Sequence, residues 1–210
     1  MNKYSILNNV NQNDFTEISL CLSAETRSFS KNDIIMRQTD ENDNVGIVKK
    51  GLICLISISE DGEKSIIDYY ERGSIFGKGF TPDSCVNLHY IIAKEDCEVT
   101  LFSYSRLMSC CSNNCEKHRE IINTIIINSF KRCQMHIDIL TGRSIRRKLI
   151  TYFRYMKELK GNDSFDIPVS LSDLADYLSV DRSAMMREIK KMKNENIIIA
   201  NGGRITFSDI

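Results

Sequence analysis

Residues 169–198 read VSLSDLADYLSVDRSAMMREIKKMKNENII, two short amphipathic helices joined by a three-residue turn. Ser170 is placed to cap the first helix, with Asp173 three positions on in a capping-box spacing. Leu171, Leu174, Ala175 and Leu178 form its apolar face. The pattern stops at Ser179-Val180, and Asp181 caps the second helix, whose apolar residues Met185, Ile189 and Met192 recur at i, i+4 and i+7. Its other face carries Arg182, Ser183, Met186, Arg187 and Lys190.

A helix whose first turn projects Arg and Ser away from the core, braced by a preceding helix, is how a helix-turn-helix enters the DNA major groove. The expected DNA-contacting residues are Ser170, Arg182, Ser183, Met186, Arg187 and Lys190. Arginine offers a planar fork to guanine O6 and N7, whereas Ser and Lys more often hold phosphate. Arg146, Arg147 and Lys148 are further phosphate candidates, with plain solvated surface as the alternative. Downstream, residues 197–200 and 204–207 flank Asn201-Gly202-Gly203 and read as a two-stranded wing.

The formal net charge of zero hides an asymmetry. Residues 1–140 carry 15 Lys/Arg against 19 Asp/Glu, and residues 141–210 carry 13 against 9. A weakly acidic body with a basic tail fits a sensor joined to a nucleic-acid reader. At 210 residues and 42% hydrophobic content the chain can build one large domain or two small ones. No run approaches the ~18 apolar residues of a membrane span. The first fifteen residues, MNKYSILNNVNQNDF, lack a secretory pattern. Eight cysteines without such a signal point to reduced thiols and a cytoplasmic protein.

Residues 1–28 read as a short helical entry through Phe15, Ile18, Leu20 and Leu22. From Phe29 onward, short β-type runs follow at 33–36, 45–48, 52–58, 64–70, 90–93 and 97–102. Glu60-Asp61-Gly62-Glu63 and Glu71-Arg72-Gly73-Ser74 supply turns between them. Strands this short and frequent suggest a jelly roll. After Ser105 the chain turns helical, and a long segment from about Cys115 to Leu140 contains neither Gly nor Pro. Ile122, Ile126, Ser129, Cys133, His136 and Leu140 follow the 4-3 spacing of a two-stranded coiled-coil seam. A second stripe, Ile121, Ile125 and Ile137, is expected to cover the β-roll. The alternative is that both stripes are intrachain core. Thr141-Gly142 is the expected hinge, followed by a helix through Ile145, Leu149, Ile150, Phe153 and Met156.

The expected fold class is thus α+β: a β-roll over 1–114, a dimerisation helix and hinge over 115–141, and a winged helix-turn-helix over 142–210. This order of parts resembles the CRP/FNR superfamily of bacterial transcription regulators. The resemblance spans almost the whole chain and is strongest in LADYLSVDRSAMMREIKKMKNENII. Ser179 stands where the family usually has Gly, implying a left-handed residue at a cost of ~1–2 kcal/mol, and Asp181 replaces the usual Ser/Thr cap. Gly73-Ser74-Ile75-Phe76-Gly77 resembles the glycine-bounded turn of the family's effector cassette. By position, Arg182 is similar to the arginine that contacts a guanine in family complexes, and Ser183 and Arg187 to positions facing bases or phosphates.

The resemblance implies a cyclic-nucleotide-binding-like jelly roll with an effector pocket at Phe76, Gly77, Lys78, Asn87, Leu88, Asn128 and Ser129. It does not extend to cyclic AMP. Lys78 replaces the glutamate that accepts from the ribose hydroxyl, and Asn87-Leu88 replace the Arg-Ser pair, so the cyclic phosphate loses its charge-assisted partner. The N-terminal iron–sulfur cysteines of the FNR type are also missing, since Cys21 stands alone there. Cys110, Cys111, Cys115 and His118 form a different cluster that suits Fe, Zn or a redox pair, or else capping residues and partly buried thiols. Cys85 and His89 offer haem ligands in the cassette loop.

The expectation is a homodimeric, cytoplasmic regulator of a double-stranded DNA operator, with RNA polymerase as a further partner and no membrane association. The signal would be a small molecule, a redox change or a metal. Two rivals come from other classes. A cupin-type metal enzyme needs several histidines converging in the barrel, and His89, His118 and His136 are the only ones. A module that docks on a protein and never reads DNA leaves the projecting Arg182 and Arg187 without purpose.

Overall fold

Period-two burial builds the N-terminal unit. Along Leu88–Ala93 the side chains of His89, Ile91 and Ala93 are buried while Leu88 is exposed, the signature of a strand with one face on a core. The structure is a computed structural model that describes residues 22–38, 41–79, 88–109 and 116–207. These residues fall into two compact units, one within 22–130 and the other within 131–207.

The first unit contains β1 (Glu25–Phe29), β2 (Ile34–Gln38), β3 (Asn44–Lys50), β4 (Ile53–Ile58), β5 (Lys64–Tyr70), β6 (Ile75–Gly77), β7 (Leu88–Ala93) and β8 (Cys97–Ser103). They form two four-stranded antiparallel sheets in the orders β1-β8-β3-β6 and β2-β7-β4-β5. Between the sheets lies a cluster of Met36, Val48, Ile53, Leu55, Tyr70, Phe76, Ile91, Ala93, Cys97 and Val99. The expected turn after β4 is present: the Gly62 amide donates to the Ser59 carbonyl at 2.9 Å, with Gly62 at φ 79°. Gly46 sits mid-strand because the Phe76 ring lies across it, leaving no room for a Cβ.

Two helices follow, α1 (Tyr104–Met108) and α2 (Glu116–Leu140). Ser103 caps α1 by accepting from the Arg106 amide. In α2, Ile125 is buried in a second cluster with Leu22, Val45, Ile47, Ile75, Phe102 and Leu107, and Ile122 packs against it. This part of α2 does cover the β-roll. Its last turns belong to the second unit, where Ile139 is fully buried.

The second unit continues with α3 (Ile145–Lys160), β9 (Ser164–Asp166), α4 (Leu171–Tyr177), α5 (Arg182–Asn194), β10 (Ile198–Asn201) and β11 (Arg204–Phe207). Leu149, Tyr152, Phe153 and Met156 on α3 meet no water, and Phe153 packs between Phe165 and Phe207.

Four expectations need correction. Residues 25–29 are a strand and not the end of a helix, because ETRSF pairs along its length with β8. The short strand β6 lies within what reads as a turn. The wing sheet has three strands in the order β10-β11-β9, Phe165 of β9 opposing Ile205. Ile137 is not a core residue; it is 60% exposed. Phe15, Ile18 and Leu20 lie outside the described residues.

Candidate nucleic-acid interface

The reader is assembled from local rules. Ser170 begins α4 by accepting from the Asp173 amide at 3.1 Å. The end of α4 is a Schellman closure, in which the Ser179 amide donates to the Asp176 carbonyl at 2.8 Å and the Val180 amide to the Ala175 carbonyl at 3.0 Å. That closure needs a left-handed residue, and Ser179 supplies it at φ 50°. Asp181 then caps α5 by accepting from the Ala184 amide at 2.7 Å. The far end of α5 closes the same way, with Asn196 at φ 58° donating to Lys193 and Ile197 to Met192.

Met185, Ile189 and Met192 are buried under α5, as the spacing requires. Arg182, Ser183, Arg187 and Lys190 are exposed, and Met186 with them at 38%. Among the described residues neither Arg182, Arg187 nor Lys190 is held in an ion pair. Three cations and a hydroxyl therefore meet solvent on one face, available to phosphate oxygens and base edges. Ser170 is exposed at the start of α4, its oxygen engaged as cap acceptor.

Two neighbouring cations turn out to be structural. Arg146 bonds Glu188 through Nε at 2.5 Å and grips Glu195 with both terminal nitrogens at 2.7 and 2.9 Å, tying α3 to the middle and the C-terminal end of α5. Glu195 and then Glu188 raise the Arg146 pKa further above its ordinary value, and Arg146 in turn lowers that of Glu195. Lys148 donates to the carbonyls of Leu178 and Ser179 at 2.9 and 3.4 Å. Neither is a free phosphate ligand; Arg147 remains exposed. The expected hinge is also tight: Gly142 donates to the Ile139 carbonyl at 3.1 Å, and a Cβ there would crowd Lys148.

On the helix seam, Ile126 and Leu140 are exposed, Cys133 likewise, and Ile122 and Ser129 are half-buried. His136 differs, because it turns to its own chain: Nε2 donates to the Tyr177 carbonyl at 3.0 Å and the two rings stack at 4.1 Å. The seam also omits Phe130, 69% exposed, and Ile127.

The effector residues are distributed unevenly. Phe76 is fully buried in the β-roll cluster, tilted against Tyr70 at 6.1 Å, so its ring is core. Gly77 holds φ 100° against the Asn44 carbonyl, where a Cβ would come within 2.4 Å. Lys78 follows it, its charge acting on Asp43. Leu88 is exposed, Asn128 and Ser129 are half-buried on α2, and Asn87 lies outside the described residues.

Of the metal candidates, Cys85, Cys110, Cys111 and Cys115 lie outside the described residues, as does the side chain of His118. His89 is buried on β7 opposite Ser57 of β4. Among the described residues no three His, Cys, Asp or Glu side chains gather as a metal site. Cys97 is buried and its thiol is pushed up to about 11, chiefly by burial and then by Asp33, Asp96 and Glu95, which leaves it protonated and unreactive.

Comparison with known proteins agrees with this geometry. Residues 26–114 match the cyclic nucleotide-binding domain family, and residues 147–210 match the Crp-like helix-turn-helix domain family. The nitrogen fixation regulation protein FixK of Rhizobium meliloti (strain 1021) is 24% identical over 171 residues, covering 81% of this chain and 76% of FixK. The structure of FixK2 from Bradyrhizobium japonicum superposes with a TM-score of 0.70 at 19% identity, over 89% of this chain and 93% of that one. OCPA-complexed CprK gives a TM-score of 0.69 at 18% identity, over 92% and 91%.

Proposed function

We propose that this chain, which belongs to the CRP/FNR superfamily of DNA-binding transcription regulators, reads its operator as a homodimer whose DNA affinity is set by a signal at the β-roll. The observation that carries the reading is α5: its core face is sealed by Met185, Ile189 and Met192 while Arg182, Ser183, Met186, Arg187 and Lys190 face solvent. In a two-fold dimer the paired α5 helices enter major grooves about 34 Å apart, reading a palindromic operator. Arg182 reads a guanine edge; Arg187 and Lys190 hold phosphate. Exposed Ile126, Ile127, Phe130 and Leu140 on α2 supply apolar surface for the partner subunit.

The signal is a small molecule other than cyclic AMP, or a redox or metal change. Lys78 offers a cation where the ribose needs an acceptor, and residues 87–88 provide no guanidinium for a cyclic phosphate. CprK, a fold neighbour, was solved with OCPA bound, which supports a small-molecule signal. RNA polymerase contact and a cytoplasmic setting complete the proposal.

The test is selection of duplexes from a random library, followed by titration of the wild type and Arg182→Ala. Loss of one bidentate guanine contact in each half-site is worth ~2–6 kcal/mol for the dimer, so affinity should fall about 30-fold or more and preference relax at one G·C pair per half-site. Unchanged affinity and specificity would refute the role of Arg182, and selection of no duplex would refute the reading as a whole.

A further inference from the structure

The end of α4 exposes the carbonyls that no helix can satisfy internally. Three consecutive ones are met by donors from the two preceding helices: His136 of α2 at Tyr177, and Lys148 of α3 at Leu178 and Ser179. A carbonyl carries no proton, so the His136 ring must donate through Nε2. The imidazole also lies flat on the Tyr177 ring, 4.1 Å between centroids and 3° from parallel, while Tyr152 meets the Tyr177 ring edge-on. Tyr177 itself is buried, so this is a fixed contact and not a surface stack.

These carbonyls run into Ser179, Val180 and Asp181, the turn that launches α5. We propose that His136 is a positioning residue for DNA reading: it fastens the last turns of α2, those after Phe130, to the helix-turn-helix, so that α5 follows that segment as one piece. His136 touches no DNA in this scheme. It acts through the Tyr177 carbonyl on the turn, and the turn sets where Arg182 and Ser183 point. The proposal rests on the DNA-reading function above.

The experiment compares the wild-type full chain with His136→Gln, whose amide nitrogen reaches the position of Nε2, and with His136→Leu, which has no donor. Two measurements are made: affinity for a library-selected duplex, and hydrogen exchange of residues 174–181 in the free protein. The expected result is faster exchange of the Ser179 and Val180 amides in the Leu variant, with binding weakened about fivefold, the worth of one neutral hydrogen bond. The Gln variant should return both to within about twofold of the wild type. A Leu variant matching the wild type in both measurements overturns the proposal. Equal impairment of Gln and Leu overturns it too, because ring packing alone would then explain the contact. If the wild type selects no duplex, the DNA reading fails first, and the exchange data show separately whether the bond restrains the turn.

Discussion

Ser179 is the residue whose replacement should improve the reader. It is exposed, holds φ 50°, and its backbone amide completes the closure of α4. A side chain in this conformation costs ~1–2 kcal/mol through contact of Cβ with the following carbonyl. Ser179→Gly removes that cost and retains both closing hydrogen bonds, since these are made by main-chain atoms. Against the gain stands the greater freedom of glycine in the unfolded chain, ~0.5–1 kcal/mol. The net stabilisation is about 0–1.5 kcal/mol, and for a unit of this size the middle of that range raises the melting temperature by about 3–6 °C. Thermal unfolding followed by circular dichroism measures it, with Ser179→Val as the opposite control because a β-branched residue is worst at positive φ. DNA affinity should stay within about twofold of the wild type, since the turn keeps its geometry. A glycine variant that melts lower than the wild type would refute the reasoning, as would a valine variant that melts higher.

Two other perturbations have definite outcomes. Asp43 accepts from the Ser103 hydroxyl at 2.6 Å and from the hydroxyl and amide of Ser105 at 2.8 and 3.1 Å. The Ser103 hydroxyl, with Ser105 and the Lys78 charge, holds its pKa below the ordinary carboxylate value against an opposing effect of burial. A depressed carboxylate stabilises the fold above its unfolded value near 4, and the effect disappears as pH falls through the lowered one. In urea titrations the stability gap between wild type and Asp43→Asn should therefore be constant from pH 7 to about pH 5 and shrink below about pH 4; a gap that widens in acid would contradict the assignment. Phe130→Glu places a charge at the most exposed aromatic of α2, and sedimentation should show the dimer dissociating at least tenfold more readily, on the order of 1.4 kcal/mol. An unaltered sedimentation profile would remove α2 from the interface.

What could be read from the sequence was local. Ser170, Asp181 and Gly62 declare their caps and turn within four residues of themselves, and Met185, Ile189 and Met192 declare the buried face of α5 by spacing alone. The strained Ser179 is legible only through the resemblance, because the family usually places Gly at that position. The misses depend on distant partners. β1 is a polar ETRSF whose strand state comes from β8, some 70 residues on, and β9 is three residues long and defined by β11. Arg146, Lys148 and His136 look like reading-surface or seam residues until the chain brings Glu188, Glu195 and the Tyr177–Ser179 carbonyls to them from 30 to 49 positions away. The buried ring of Phe76 likewise follows from Gly46 on a neighbouring strand, which no local pattern announces.

The exposed cations of α5 are the centre of the account, and a salt titration of duplex binding tests them most directly. Each phosphate neutralised releases counterions, so a dimer making about 6–10 phosphate contacts should lose about 10³- to 10⁵-fold in affinity between 50 and 200 mM salt. Arg187→Ala should flatten the slope of log K against log salt by about 2 per dimer, one phosphate contact for each subunit. Binding that does not change with salt, or a slope indifferent to Arg187, would contradict the claim that this helix face meets DNA.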